Sequence, residues 1–158
     1  MNQLLLKVFL RQIKKEMSGK LYLIPSTLGD ESPFNVLPAD VLPIAQSTKY
    51  FFVENLRTAR RFLKKLDQSI EIDDLTFMEI NKRTRHSELV DFMQFAIDGN
   101  DIGVISEAGC PGVADPGADA VKVAHQKGIT VKPLVGPSSI LLSLMASGLN
   151  GQSFTFVG

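Results

Sequence analysis

Residues 102–127 read IGVISEAGCPGVADPGADAVKVAHQK. The run Ile102–Ser106 is short and apolar, as a buried parallel strand is. Residues 116–127 have the spacing of a helix, and Gly128 follows as its C-cap. Between strand and helix, residues 106–119 hold three glycines and two prolines. Asp115 stands before Pro116, a favoured pairing for a helix start. Open α/β sheets bind ligands at such strand-to-helix junctions. This loop has acids but no Lys or Arg, and none occurs from His86 through Val121. A ligand held here is therefore not a polyanion.

Working outward, four more β-rich runs stand out: Leu21–Pro25, Tyr50–Val53, Leu75–Met78 and Thr130–Leu134. Helical patterns separate them at Arg57–Leu66, Ser87–Ile97, Pro116–Lys127 and Ser138–Ser147. In FNVLPADVLPIAQS, Pro38 and Pro43 argue against one regular helix. DGND at 98–101 is a turn, and Gly148 ends the last helix. Strands alternating with helices predict an α/β fold: a mostly parallel five-stranded sheet with helices on both faces.

At 158 residues, one domain is expected, with enough chain to bury a core. The formal net charge is zero, so nucleic-acid contact must come from local patches. Cys110 is the one cysteine, which excludes an intrachain disulfide and fits a reducing compartment. His86 and His125 lack metal-ligand spacing, and no metal site is expected. No apolar run is long enough to span a bilayer.

Residues 1–19 are read as an N-terminal extension, and residues 20–150 as the α/β domain. The first stretch is apolar, then basic, without a signal-peptide cleavage site. Met17, just before SGKLYLIP, suits a later start; a frayed amphipathic helix or a surface anchor are the alternatives. Residues 151–158, GQSFTFVG, read as the start of a strand or linker toward a second domain.

Three loops follow strands and precede helices: PSTLGDESP (25–33), SEAGCPGVADPG (106–117) and VGPSS (135–139). All three open on the carboxyl edge of a parallel sheet. Neither G-x-x-x-x-G-K-[ST] nor G-x-G-x-x-G is present. The loops offer backbone amides, hydroxyls of Ser26, Thr27 and Ser138, and carboxylates of Asp30, Glu107 and Asp115. S-adenosylmethionine suits this set: it has a ribose diol, an amino group and a positive sulfur, and no phosphate. The simpler reading is that each Gly and Pro shapes a turn and Asp115 caps a helix. Cys110 reads as a packing residue, with no activating neighbour in sequence.

A second constellation lies in VENLRTARRFLKKLD. At helical spacing Arg57, Arg60, Arg61, Lys64 and Lys65 share one face. NKRTRH (81–86) adds Lys82, Arg83 and Arg85. Either the basic face holds RNA phosphates or it is a solvated helix face. Glu54 and Asn55 end the second strand, and Asn81 follows the third. Glu54, Arg57 and Asn81 are the candidate catalytic residues. The alternative pairs Glu54 with Arg57 and makes Asn55 an N-cap.

LYLIPSTLGD, ENLRTARRFL, ISEAGCPGVADPGAD and PLVGPSS with ASGL and FTFVG resemble the tetrapyrrole methylase superfamily. Within it they are most similar to the small-subunit rRNA 2′-O-methyltransferase I group. The resemblance runs from about Lys20 to the end of the chain. It implies a two-domain, cytoplasmic, homodimeric methyltransferase with S-adenosylmethionine in a cleft between domains. Carried over by motif, Pro25, Ser26 and Thr27 line one side of the cofactor. Glu107, Ala108, Gly109 and Pro111 form its main loop, and Gly136, Pro137 and Ser138 close another side. The second domain is expected just after Gly158. The group has Asp-Thr-Arg where Asn55, Leu56 and Arg57 stand, Asp at Glu107, Thr at Cys110 and Pro at Val135. Of its His-and-Asn pair after the third strand, Asn81 alone is present. The implied acceptor is rRNA; a tetrapyrrole or other small molecule is the alternative acceptor. A non-catalytic cofactor- or partner-binding module is the alternative class.

Overall fold

The computed structural model describes residues 17–157; residues 1–16 and Gly158, and with them most of the expected N-terminal extension, lie outside the described residues. Five strands form the sheet: β1 (Lys20–Leu23), β2 (Tyr50–Val53), β3 (Thr76–Glu79), β4 (Ile102–Ile105) and β5 (Thr130–Pro133). The helices are α1 (Pro33–Val36), α2 (Val41–Ser47), α3 (Leu56–Leu66), α4 (His86–Phe92), α5 (Gln94–Ile97), α6 (Gly117–Lys127) and α7 (Ser139–Ser147). Strand order is β3-β2-β4-β1-β5, and every pairing is parallel. The expected sheet is present, and it is parallel throughout.

All four residues of β4 are buried, which explains its unbroken apolar run at the sheet centre. Side chains alternate across the sheet. Phe51, Val53 and Ile105 pack with α2 and α3 residues, including Val41, Ala59, Phe62 and Leu63, on one face. Phe52, Ile102 and Val104 pack with Leu89, Met93, Ala120 and Val123 of the other. The β2-to-β3 connection leaves toward β3, while the β4-to-β5 connection leaves in the opposite direction. The sheet therefore switches direction between β2 and β4, the place where open sheets form a ligand crevice.

The structure corrects several expected boundaries. β3 starts at Thr76 because Ile72–Asp74 form a 3-10 turn that Leu75 closes through Ile72. The expected Ser87–Ile97 helix divides at Met93, whose carbonyl accepts the Ala96 N–H at 3.0 Å, a tighter turn around a fully buried side chain. The proline-rich stretch forms two short helices; Pro43 is tolerated in the first turn of α2, where no intrahelical donor is needed. Gly128 and Gly148 cap their helices as expected. Residues 151–157 add no strand to the sheet, and Phe154, Phe156 and Val157 are exposed.

Candidate functional site

The three loops meet at the carboxyl edges of the neighbouring strands β4, β1 and β5. The Ser26 N–H donates to the Gly109 carbonyl at 3.0 Å. Ser26 is buried, and its hydroxyl donates to the Ser106 carbonyl at 3.4 Å. The Cys110 thiol approaches the Pro137 carbonyl at 3.4 Å. Two glycines make this closeness achievable. Gly109 has φ of 71°, and a Cβ there would lie 3.0 Å from the Pro137 carbonyl oxygen. A Cβ on Gly136 would overlap the Pro25 ring. The ten residues carried over as cofactor contacts thus come from three interlocked loops.

The hydroxyls in these loops hold backbone. Thr27 Oγ1 donates to the Gly29 carbonyl at 2.8 Å. Ser138 Oγ accepts from the Leu141 N–H at 3.5 Å, as the N-cap of α7. Asp115 is structural as well: Oδ1 and Oδ2 accept from the Gly112 N–H at 2.9 and 2.8 Å, and Oδ1 from the Gly117 N–H at 2.7 Å. The N-cap position of α6 falls on Pro116, but the capping acceptor is still the Asp115 carboxylate. Glu107 and Ala108 remain exposed, but the Glu107 N–H is taken by Glu54 and the Ala108 carbonyl accepts from the Ser106 hydroxyl at 3.4 Å, so the Glu107 carboxylate is the group they offer a ligand. Burial pushes the Cys110 thiol above its usual value, which keeps it protonated at neutral pH.

Glu54 leaves β2 and crosses the switch crevice. Its Oε2 accepts the Glu107 N–H at 3.0 Å. No hydrogen bond or ion pair joins it to Arg57, so the alternative local pair does not form. Asn55 caps α3 by accepting from the Thr58 N–H at 3.1 Å. Asn81 closes its own turn: Oδ1 accepts from the Arg83 N–H at 2.8 Å, and its N–H donates to Thr84 Oγ1 at 2.9 Å. Among the described residues no hydrogen bond links Asn81 to Glu54 or Arg57. The three candidate catalytic residues share the carboxyl edge without a hydrogen bond or ion pair between them.

The basic face of α3 divides in two. Lys65 Nζ donates to the carbonyls of Asp30 and Glu31, both at 2.8 Å, and ties the helix to the loop after β1. Lys64 Nζ donates to the Gln68 carbonyl at 2.8 Å. Arg57, Arg60 and Arg61 instead line a groove with Asn55, Leu56 and Glu79. The Arg60 guanidinium lies over the Phe77 ring, 5.6 Å from its centre. Glu79 Oε2 accepts the Leu56 N–H at 3.3 Å.

Phe77, Glu79 and the Lys65 anchor were not foreseen. Glu79 ends β3 as Glu54 nearly ends β2, a positional parallel that sequence could have offered. The Lys65 contacts span 34 and 35 residues and had no local signal.

The carboxyl edge is therefore partitioned. Glu54 and Glu107 stand over β2 and β4, and arginines with no ion pair to a described residue stand over β2 and β3. No cluster of three or more His, Cys, Asp or Glu side chains suited to a metal occurs among the described residues. Nor is any helix there long and apolar enough to cross a membrane.

No family model matches the chain. Over 91% of its length it is 33% identical to ribosomal RNA small subunit methyltransferase I of Streptococcus pyogenes serotype M3, covering 47% of that protein. The protein of the same name from Halalkalibacterium halodurans is 30% identical over 92% of the chain, with 47% of its own length covered. That of Vibrio cholerae is 31% identical over 87%, with 45% covered. The chain spans about half the length of the curated relatives it matches. Among solved structures it is similar to the uroporphyrin-III C-methyltransferase of Thermus thermophilus, with a TM-score of 0.55 and 17% identity. That match covers 84% of this chain and 53% of the other. At that identity the likeness is one of fold.

Proposed function

We propose that this chain, a tetrapyrrole methylase domain by fold and by sequence kinship, is the cofactor-binding half of an S-adenosylmethionine-dependent methyltransferase acting on small-subunit rRNA. One observation carries the reading: acids and uncharged loops gather over one part of the sheet edge, and arginines with no ion pair to a described residue over the adjoining part. That arrangement fits a ligand with a positive centre beside a polyanion. The names of the relatives support rRNA as the acceptor.

The donor set fits the cofactor. The exposed Glu107 carboxylate suits an adenosine diol or a sulfonium, and no Lys or Arg of these loops repels the latter. Pro25, Ser26, Thr27, Glu107, Ala108, Gly109, Pro111, Gly136, Pro137 and Ser138 would hold it. When bound, S-adenosylmethionine supplies an electrophilic methyl group on a sulfonium sulfur.

The chain's own contribution is alignment and proton handling. Glu54 Oε2 fixes the Glu107 amide, while Oε1 accepts no hydrogen bond from a described residue. Oε1 is the assigned acceptor of the ribose hydroxyl proton. Arg57 is assigned a backbone phosphate next to that ribose, and Asn81 shapes the turn that flanks it. The remaining wall of the site is assigned to polypeptide following residue 158, as the relatives are about twice as long. A homodimeric, cytoplasmic enzyme completes the proposal.

The test is transfer of a tritiated methyl group by the chain extended to its relatives' length. Unmethylated small-subunit rRNA is one acceptor and uroporphyrinogen the other. Label in a ribose 2′ oxygen supports the proposal. Label in the tetrapyrrole alone replaces rRNA with the alternative acceptor, and label in neither overturns the enzymatic reading.

A further inference from the structure

We infer that Arg57, Arg60 and Arg61, with Lys82 and Arg83, form a phosphate track for single-stranded RNA across the β2–β3 end of the sheet, and that Lys64, Lys65 and Arg85 are no part of it. The inference rests on the reading of RNA as the acceptor and says where that RNA lies.

Hydrogen bonding sorts the cations. Lys64 and Lys65 are spent on backbone carbonyls. Arg85 pairs with Glu88 at 3.1 Å, which also accepts its N–H at 2.8 Å. The side chains of Arg57 and Arg61 make no hydrogen bond or ion pair with another described residue, and that of Arg60 has its ring contact with Phe77 alone. Lys82 and Arg83 are exposed in the turn after β3, at the same sheet edge. Five cations without a partner carboxylate among the described residues are thus collected at one end of a chain of zero formal charge.

The position suits delivery to the loops. β2 adjoins β4, so α3 starts one strand, about 5 Å, from the strand that carries the Glu107 loop. The Phe77 ring under Arg60 holds one guanidinium in place, which lowers the ordering cost of binding.

Glu79 selects the kind of anion. Its Oε2 is fixed by the Leu56 N–H, and its Oε1 accepts no hydrogen bond from a described residue. A carboxylate between arginines weakens a site for phosphate alone. It is an acceptor for a 2′-hydroxyl, which RNA has and DNA, phosphopeptides and most lipid headgroups lack. Phe77 lies beneath Arg60 and does not offer its face as a stacking platform, so binding should be insensitive to base identity.

The probe is a fluorescein-labelled 20-nucleotide oligouridine, titrated into the full chain by anisotropy across a salt series. Arg57→Ala/Arg60→Ala/Arg61→Ala should weaken binding at least tenfold. It should also flatten the slope of log affinity against log salt by about 2, at about 0.7 per phosphate contact on a single strand. Lys122→Ala/Lys127→Ala/Lys132→Ala removes the same charge from α6 and β5 and should change binding less than threefold. Arg61→Glu alone, at an exposed position, gives the same direction should the triple variant fold poorly. Glu79→Gln should narrow the preference for oligouridine over its deoxy counterpart. Equal losses from both triple variants, or no binding by the unsubstituted chain, overturn the track. S-adenosylmethionine titrated into the same preparations separates the two readings. Cofactor binding without RNA binding overturns the track and leaves methyl transfer to another acceptor. Arginine-dependent RNA binding where even the extended chain binds no cofactor keeps the track and overturns the methyltransferase.

Discussion

The Glu54 carboxylate bridges the crevice between β2 and β4, its Oε2 accepting the backbone N–H of Glu107 at 3.0 Å. One side chain thus links the strand that leads to the arginines with the loop assigned to the cofactor. Glu54→Gln keeps an oxygen for the Glu107 amide but cannot take a proton. It should leave cofactor affinity within about threefold and lower methyl transfer by about 10²–10⁴, the span of general-base contributions. Glu54→Ala should impair both. Calorimetry and methyl transfer on the extended chain measure the two effects; equal rates for Glu54→Gln and the unsubstituted enzyme would remove the base assignment.

Gly136 offers a cleaner perturbation of the loops. An added Cβ overlaps the Pro25 ring, so Gly136→Ala must separate the loops after β1 and β5. The sheet core lies below this contact and should remain folded. Expected is at least a tenfold loss of S-adenosylmethionine affinity, with an unchanged far-ultraviolet dichroism spectrum. Undiminished affinity would show that the loop junction is not part of the cofactor site.

Glu31 reports on the loop after β1. Its own backbone amide first, then those of Leu28 and Gly29 and the Lys65 charge, hold its carboxyl below the ordinary glutamate value. A depressed carboxyl stabilises the fold above its unfolded value, about 4.3, and that contribution is lost as pH falls through the folded value. Carbon-detected NMR should place the Glu31 midpoint below the ordinary range. Lys65→Ala should raise it, and an unmoved midpoint would deny the Lys65 charge a part.

Phe51 tests the core under the site. It is fully buried in β2 and stacks on Phe77 with ring centres 5.6 Å apart. Phe51→Ala should cost about 3–5 kcal/mol, the range for deleting a buried aromatic ring. Urea unfolding would show this as a lower midpoint at similar slope. A loss below about 1 kcal/mol would mean that the site collapses freely around the deletion.

Much of this architecture was legible because its signals are local. The apolar run at 102–106, the Gly128 cap and the Asp115–Pro116 pair each act within a few residues. The three loops were legible together, since a parallel sheet sends all its strand ends to one edge. What sequence concealed is contact across the chain. Glu54 and Glu107 are 53 residues apart, and an acid that meets a remote amide looks the same in sequence as one that pairs with a nearby arginine. Lys64 and Lys65 share a helical face with Arg57 and Arg61, yet the ends of their side chains serve the fold. The break at Met93 was hidden for a related reason: a buried anchor overrode a continuous helical pattern.

The central claim is that the interlocked loops after β1, β4 and β5 hold S-adenosylmethionine with help from a second domain. The most direct measurement is a calorimetric titration of the cofactor into this chain and into the chain extended to its relatives' length. The account predicts one equivalent bound by the longer form and at least tenfold weaker binding by the shorter. Binding by neither would contradict the cofactor assignment and the methyltransferase reading that rests on it.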